Sequence, residues 1–476
     1  MNMKRSILYV LLQLMIFSGY MQGQNPTICR LGFTYDVSKS PNWGNGKLVI
    51  THVYPYSSAE QAGLNVNDII EAIDGIPVDS IAVGDILGLL NPANKSDVQL
   101  TINNLTDSTK LVNVKKDCKR IDAITEDQLA TAFAMYSLET TSEQLFVCPF
   151  TTTTDTMDYA LYKTYSFTPV DENNRKLEET INTCIEKEFK AKGLTYDSIR
   201  PDMLVETFYF YKKNPNFDVT KENKASAERS YTYRYNFTSN RMEKFPFLSH
   251  AEAETEAEYL LQLGVRLIDK RFKTRRVLWE CESNEMMSAT FRLDAYAQVH
   301  IPLMCMQYPY VKYNRNVQFL VSRKTYNYTG INYNINRLEQ IMDITPNSPA
   351  HVAGLRMRDI IEKIDNQNMN HAAEEYTSAY KQFIMNTMSL RDPVTLFSDA
   401  NGFRYCMYWD KFKYTQIAEA IQNPKNMAVF SYLYKYAPSV NPTGVNTCTF
   451  RVKSGKEKID IAVHPSIRKE TSVIIK

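Results

Sequence analysis

The stretch Ile50-Thr51-His52-Val53-Tyr54-Pro55-Tyr56-Ser57-Ser58-Ala59-Glu60-Gln61-Ala62-Gly63-Leu64 returns later as Ile341-Met342-Asp343-Ile344-Thr345-Pro346-Asn347-Ser348-Pro349-Ala350-His351-Val352-Ala353-Gly354-Leu355. The register then holds without a gap through Asp68-Ile69-Ile70-Glu71 and Asp359-Ile360-Ile361-Glu362 to Asp74 and Asp365. A match of that length is a duplicated unit. Its physics is local. An alternating strand brings Val49 and Val53 to a core, Pro55 stops it, and Ser57 is placed to cap a one-turn helix in which Ala59 and Ala62 allow close packing. Gly63 ends that helix in a left-handed conformation and Leu64 turns back to the core. Asp68 opens a buried strand over Ile69–Ile73, Asp74-Gly75 makes a tight turn, and a second helix follows.

This order of strand, Pro-x-Ser-x-Ala-x-x-Ala-Gly-Leu, Asp-Ile-Ile and Ile-Asp-Gly resembles the PDZ domain. In the first copy Leu31-Gly32-Phe33 stands where that family has its carboxylate-binding loop, and in the second Tyr328-Thr329-Gly330-Ile331 does. The resemblance implies a sheet edge that accepts an extended peptide as an added strand, with loop amides on the terminal carboxylate and an apolar pocket for the last side chain. Carried over by position, the first groove is formed by Leu31, Gly32 and Phe33 with Val83, Leu87 and Leu90 from a helix. The second is formed by Gly330 and Ile331 with Tyr376, Tyr380 and Phe383. Thr329 stands where the family has an apolar residue, and Asn366 replaces the turn glycine.

Each copy is followed by a similar tail, Ala130 to Tyr136 then Cys148-Pro149-Phe150, and Met427 to Tyr432 then Cys448-Thr449-Phe450. The tails predict that a helix and a strand belong to the repeat. Between the copies, Lys163–Phe167 reads as a strand. Leu177, Ile181, Ile185 and Phe189 line one face of a helix that stops at Gly193. Strands are expected over Met203–Tyr211, Tyr259–Asp269 and Arg275–Glu280, a polar irregular stretch over residues 214–250, and a helix over Phe291–Met306. The segments Thr164-Tyr165-Ser166-Phe167, Ala191-Lys192-Gly193-Leu194, Pro201 to Val205, Gly264 to Asp269 and Val277-Leu278-Trp279 are similar to a bacterial envelope family of unknown function, which implies a compact α+β domain with an antiparallel sheet and no assigned activity. The expected fold class is therefore α+β: two PDZ-like, partly open β-barrels with helices, flanking a central α+β domain. The expected layout is a signal peptide over 1–23, PDZ-like units over 29–116 and 326–411, a helix-strand connector over 117–154, the central domain over 155–318 and a helix-strand extension over 412–476.

The chain's first residues carry Lys4 and Arg5, an apolar run from Ile7 to Phe17 and small residues up to Gly23, the grammar of an export signal and too short to span a bilayer. A periplasmic or outer-membrane-associated bacterial protein is expected, with no transmembrane span once the signal is cut. Cys29 follows a polar stretch and is set aside as a lipidation site. The eight Cys contain no Cys-x-x-Cys pair, which leaves buried free thiols as the expected state of most. The 55 Lys and Arg nearly balance the 53 Asp and Glu, so no concentrated cationic surface exists for nucleic acid.

A search for chemistry finds no Gly-x-Ser-x-Gly elbow and no His-Glu-x-x-His zinc helix. No cofactor or metal is expected. Two function classes follow: a non-enzymatic envelope scaffold that catches peptide C-termini or exposed strands, and a protease-associated component or hydrolase that would use acids such as Asp202 and Asp269. A third reading makes the repeats purely structural, their grooves filled by the chain itself.

Overall fold

The computed structural model describes residues 27–106, 109–134, 143–218, 232–248, 253–272, 275–369, 373–391 and 447–476, with isolated positions between 409 and 439. The export signal expected over residues 1–23 lies outside them.

Alternation builds the first copy. Strand β1 (Thr27–Arg30) leads into β2 (Phe33–Val37), β3 (Leu48–Val53), helix α1 (Ser58–Gln61), β4 (Ile69–Ile73), β5 (Ile76–Pro77), α2 (Ile86–Leu90), β6 (Asp97–Asn103) and β7 (Lys110–Lys115). The sheet runs β2-β3-β4-β6-β7 with β5 on β4. In β6, Val98, Leu100 and Ile102 point inward to the core that Leu48, Ile50, Ile70 and Ile73 also fill, as a period of two requires. Ser57 caps α1 as expected, accepting from the Glu60 amide at 3.3 Å. Strand β8 (Asp117–Arg120) then pairs antiparallel with β1, and a Cys29–Cys118 disulfide joins them. That bond takes up the Cys29 thiol. Cys148, Cys184, Cys281 and Cys305 are free thiols.

Strand β9 (Ala123–Thr125) and helix α3 (Glu126–Ala134) come next, and then the central domain. It comprises β10 (Glu143–Thr154), β11 (Thr164–Phe167), α4 (Arg175–Ala191), β12 (Thr195–Tyr196), β13 (Met203–Lys213), β14 (Thr232–Asn236), β15 (Arg241–Phe245), β16 (Phe247–Leu248), α5 (Ala253–Glu256), β17 (Tyr259–Asp269), β18 (Val277–Met287), α6 (Leu293–Cys305) and β19 (Arg315–Tyr328). The stripe Ile181, Ile185 and Phe189 on α4 is buried with α6 in the core, and Gly193 follows the helix at φ +85°. Two expectations fail here. Residues 214–250, read as irregular, hold the β14–β15 hairpin and β16. The Thr-Tyr-Arg-Tyr-Asn of β14 hides its inward side chains among polar residues. Strand β18 also runs past Glu280, because its pairing with β17 continues to Tyr259 opposite Met287.

The second copy repeats the first with β20 (Ile331–Asn334), β21 (Arg337–Ile344), α7 (Pro349–Ala353), β22 (Ile360–Ile364), β23 (Gln367–Asn368), α8 (Ala373–Asn386), β24 (Cys448–Ser454) and β25 (Glu457–Val463); β26 (Ser466–Ile475) ends the chain. The duplication is visible in the backbone. Positive φ occurs at Gly32, Tyr56, Gly63, Asn67 and Asp74 in one copy and at Gly330, Asn347, Gly354, Arg358 and Asp365 in the other. The unit does not end at residue 411, because β24 pairs with β22 as β6 pairs with β4. Nor is 412–476 a single extension: β24 and β25 complete the second sheet, while β26 pairs with β19 and extends the central sheet, β12-β11-β13-β17-β18-β10-β19-β26. The expected tail repeat falls with this. Cys148 lies on β10 of the central sheet, Cys448 lies on β24 of the second unit, and Met427–Tyr432 are outside the described residues.

Trp43 fastens the first copy to the central domain. The β2–β3 connection, longer than its counterpart, carries Trp43 into the central core beside Tyr159, while Asn42 accepts from the Tyr159 amide at 3.0 Å through its carbonyl. Inside the central domain Arg234 and Glu285 form a buried ion pair at 3.4 Å. His300 stands 3.9 Å from the same carboxylate, and burial together with the Arg234 charge holds its imidazole well below the usual range, so it is neutral. A buried carboxylate stripped of its cation pays the full desolvation penalty. Arg234→Met is therefore expected to destabilise the protein by about 3–5 kcal/mol in urea unfolding, and a second change of Glu285 to Met to restore most of that loss. In the chain-entropy picture, cross-linking residues 89 apart stabilises by about 4–5 kcal/mol; peptide mapping without reductant should recover Cys29 joined to Cys118, and the Cys29→Ser, Cys118→Ser double variant should unfold at lower urea.

Candidate peptide-binding grooves

Each unit builds its loop the same way. Gly32, at φ +92°, and Gly330, at φ +88°, sit against Ser57 and Ser348, and a Cβ on either would stand 2.3 or 2.2 Å from the serine Cβ. Only glycine fits such a position. The loop carbonyls are held alike: Gly32 accepts from the Tyr54 amide at 2.9 Å and Leu31 from the Ala59 amide at 3.0 Å, while Gly330 accepts from Thr345 and Thr329 from Ala350, both at 2.9 Å. With the carbonyls turned inward, the amides of Leu31 and Gly32, and of Thr329 and Gly330, form a small anion-binding concavity.

In the second unit those amides are engaged. The Glu126 carboxylate accepts from the Thr329 amide at 2.9 Å, from the Gly330 amide at 2.8 Å and from the Thr329 hydroxyl. The three residues before it, β9, lie antiparallel along β20, with Thr125 opposite Asn332, Ile124 opposite Tyr333 and Ala123 opposite Asn334. Ile124 and Leu129 are buried in one cluster with Ile331 and Phe383. Lys324 ties α3 to β19 and β26 through Asp127 and Glu470. Burial draws the Lys324 ammonium down, but the two carboxylates outweigh it and leave it above the usual value. The expectation of an open second groove is corrected here: Gly330 and Ile331 face the chain's own strand and carboxylate. Phe383 packs edge-on against Trp409 and is buried. Tyr376 and Tyr380 lie on α8, their side chains outside the described residues.

Among the described residues of the first unit, β2 pairs with β3 on one flank only, and no acceptor meets the Leu31 or Gly32 amide. Leu31 and Leu90, the latter 6% exposed, belong to the core beneath the groove, Phe33 packs on it half-buried, and Val83 and Leu87 are 68% and 69% exposed. The helix carrying them is shorter than its 83, 87, 90 spacing predicts. Val83 falls on a separate 3-10 turn, Val83–Asp85, before α2, since Gly84 and Gly88 weaken a helix where α8 has no glycine. The central domain meets the far end of β2 through an ion pair of Lys312 with Asp36 at 3.5 Å. A cavity of about 350 Å³ between the first unit and the central domain, among Trp43, Asn67, Lys192, Phe237 and Tyr310, does not involve the groove residues. Of the acids singled out for hydrolysis, Asp202 accepts from the Lys163 and Thr164 amides at the start of β11, and Asp269 caps the turn after β17 by accepting from the Arg271 and Phe272 amides.

Comparison with known proteins agrees with this geometry. A crystal structure of a PDZ domain protein from Parabacteroides distasonis is 59% identical, covers 95% of this chain and 100% of that chain, and superposes with a TM-score of 0.76. The chain belongs to the family of that PDZ domain protein. A PDZ domain model matches residues 49–104, and a model described as Domain of unknown function (DUF4136) matches residues 150–310. The PDZ units make this a protein with a protein-interaction module. A photosystem II D1 C-terminal processing protease (17% identical, 28% of this chain and 29% of that chain, TM-score 0.16) and a PelC dodecamer from Paraburkholderia phytofirmans (11% identical, 35% and 97%, TM-score 0.16) superpose too weakly to carry an argument. No curated protein matches. No described helix is long and apolar enough to cross a membrane.

Glu126 was not legible as a site residue, since it lies about two hundred positions from the loop it caps. Burial pushes its carboxyl up to about 7, against the lowering pull of the Thr329 and Gly330 donors and the more distant Arg468. A raised folded-state value means that stability present below about pH 4.5 is lost as pH rises toward 7. Wild-type chain is expected to lose up to roughly 3 kcal/mol more than Glu126→Gln between pH 4.5 and 7.5 in urea titrations, because the glutamine cannot ionise.

Proposed function

We propose that this is an exported, non-enzymatic envelope protein whose first PDZ groove binds the free C-terminus of an extended polypeptide. The observation that carries the reading is internal to the molecule. Two loops of matching geometry are present, one already holds a carboxylate at the end of an antiparallel strand, and the other lies beside a strand that is paired on one flank only among the described residues. The first groove thus offers two convergent amides for an anion, β2 for main-chain pairing and an apolar wall from Phe33, Val83 and Leu87 for the last side chains. Export places such a groove in the periplasm or at the outer membrane, where unfolded or partly assembled chain ends are its natural ligands, and the central domain anchors the groove through Trp43.

The test is a library of C-terminal peptides, as free acids and as amides, titrated into the full chain. One site per chain is expected, selective for the free acid. Gly32→Ala, which drives a methyl into Ser57, and Leu87→Arg, at an exposed position that leaves the core untouched, should each weaken binding at least tenfold, about 1.4 kcal/mol. Equal binding of acids and amides, or binding indifferent to both changes, would refute the groove.

A further inference from the structure

We propose that residues 123–126 are a tethered pseudo-ligand, and that the second PDZ groove is a further binding site for a free peptide C-terminus whenever the Glu126 carboxylate is withdrawn. The segment has each attribute of such a ligand. It is extended, antiparallel to β20 and in hydrogen-bonded register for three residues. It ends on a carboxylate held by the Thr329 and Gly330 amides. Because the chain must continue into α3, that carboxylate comes from a side chain. Leu129, one turn along α3, shares the apolar cluster of Ile331 and Phe383.

Tethering explains why a guest does not ordinarily compete. The Cys29–Cys118 bond pins β8 to β1, Arg120 grips Asp122 through two bonds of 2.8 and 2.7 Å, and the Asp122 carbonyl accepts from the Ile335 amide at 2.8 Å. Four residues beyond that grip the carboxylate meets its loop, at an effective concentration a peptide in solution does not match. The same bond that closes the first unit therefore also delivers the occupant of the second groove.

The proposal borrows from the first-groove reading only the class of ligand, and it is tested with the first groove disabled. In the full-length Leu87→Arg chain, fluorescence anisotropy follows a labelled peptide with the sequence of residues 119–125 ending in a free carboxylate, and its C-terminal amide. Adding Glu126→Ala should tighten binding of the acid at least tenfold, leave the amide unchanged, and lose the gain again with Gly330→Ala. A Leu87→Arg, Glu126→Ala chain with the circular dichroism of its parent and no gain, or with equal gains for acid and amide, overturns the proposal. Should the alanine variant not fold, Glu126→Gln keeps the side-chain volume and weakens the latch. An acid-selective gain of about threefold supports the proposal, and none overturns it. The first-groove reading is judged separately, from Glu126-intact chains with and without Leu87→Arg.

Discussion

A single buried carboxylate, Glu126, on the amides of Thr329 and Gly330 fixes how the two repeats relate. Moving a carboxylate out of water is costly, and the donors it meets offset only part of that cost. The contact is kept because β9 and α3 arrive with it: a strand for β20, Ile124 and Leu129 for the second core, and Asp127 for Lys324. Without that segment the second unit would present an unpaired edge and an open apolar face. With it, one PDZ unit is completed by the chain that leaves the other.

The two copies diverge by accessory contacts while the frame stays constant. Equivalent positive φ angles and equivalent loop bonds recur in both, so the residues that set the backbone path are shared. What differs is the β2–β3 connection, which carries Trp43 into the central core, and the groove helix, short with Gly84 and Gly88 in the first unit and fourteen residues long in the second. Fold and occupancy are separable properties of this unit, which is how one duplication yields, among the described residues, one β2 paired on a single flank and one groove with a built-in strand.

The C-terminal strand holds the assembly together. Strand β26 pairs along β19, and β19 runs directly into the second loop at Tyr328. The Arg468 guanidinium stacks 3.4 Å from the Tyr328 ring and 4.8 Å from the Tyr56 ring of the first unit. Tyr56 also exchanges hydrogen bonds with the Lys469 backbone, and His52 meets Ser472 at 3.1 Å. Burial draws the His52 imidazole below its ordinary value, so it bonds as a neutral ring near pH 7. These contacts bring the two units and the central sheet to one strand, with cation–π and hydrogen-bond terms that are modest singly.

Local signals were enough for the repeat itself. Ser57 before a one-turn helix, Gly63 after it and Asp74-Gly75 at a turn are decided within a few residues, so the PDZ units, the α4 stripe and the mixed α+β class could be read from the chain. The β14–β15 hairpin could not, because Arg234 is inward-facing only by virtue of Glu285, a partner far along the chain. The end of the second unit was misplaced for a related reason: α8 and β24 are separated by a long intervening segment, and only the pairing of β24 with β22 assigns the strand. Above all, whether a sheet edge is free depends on which distant segment reaches it. Short-range propensity carries no information about a carboxylate delivered across two hundred residues, and packing alone decided that the second groove is filled from within while β2, among the described residues, is paired on one flank.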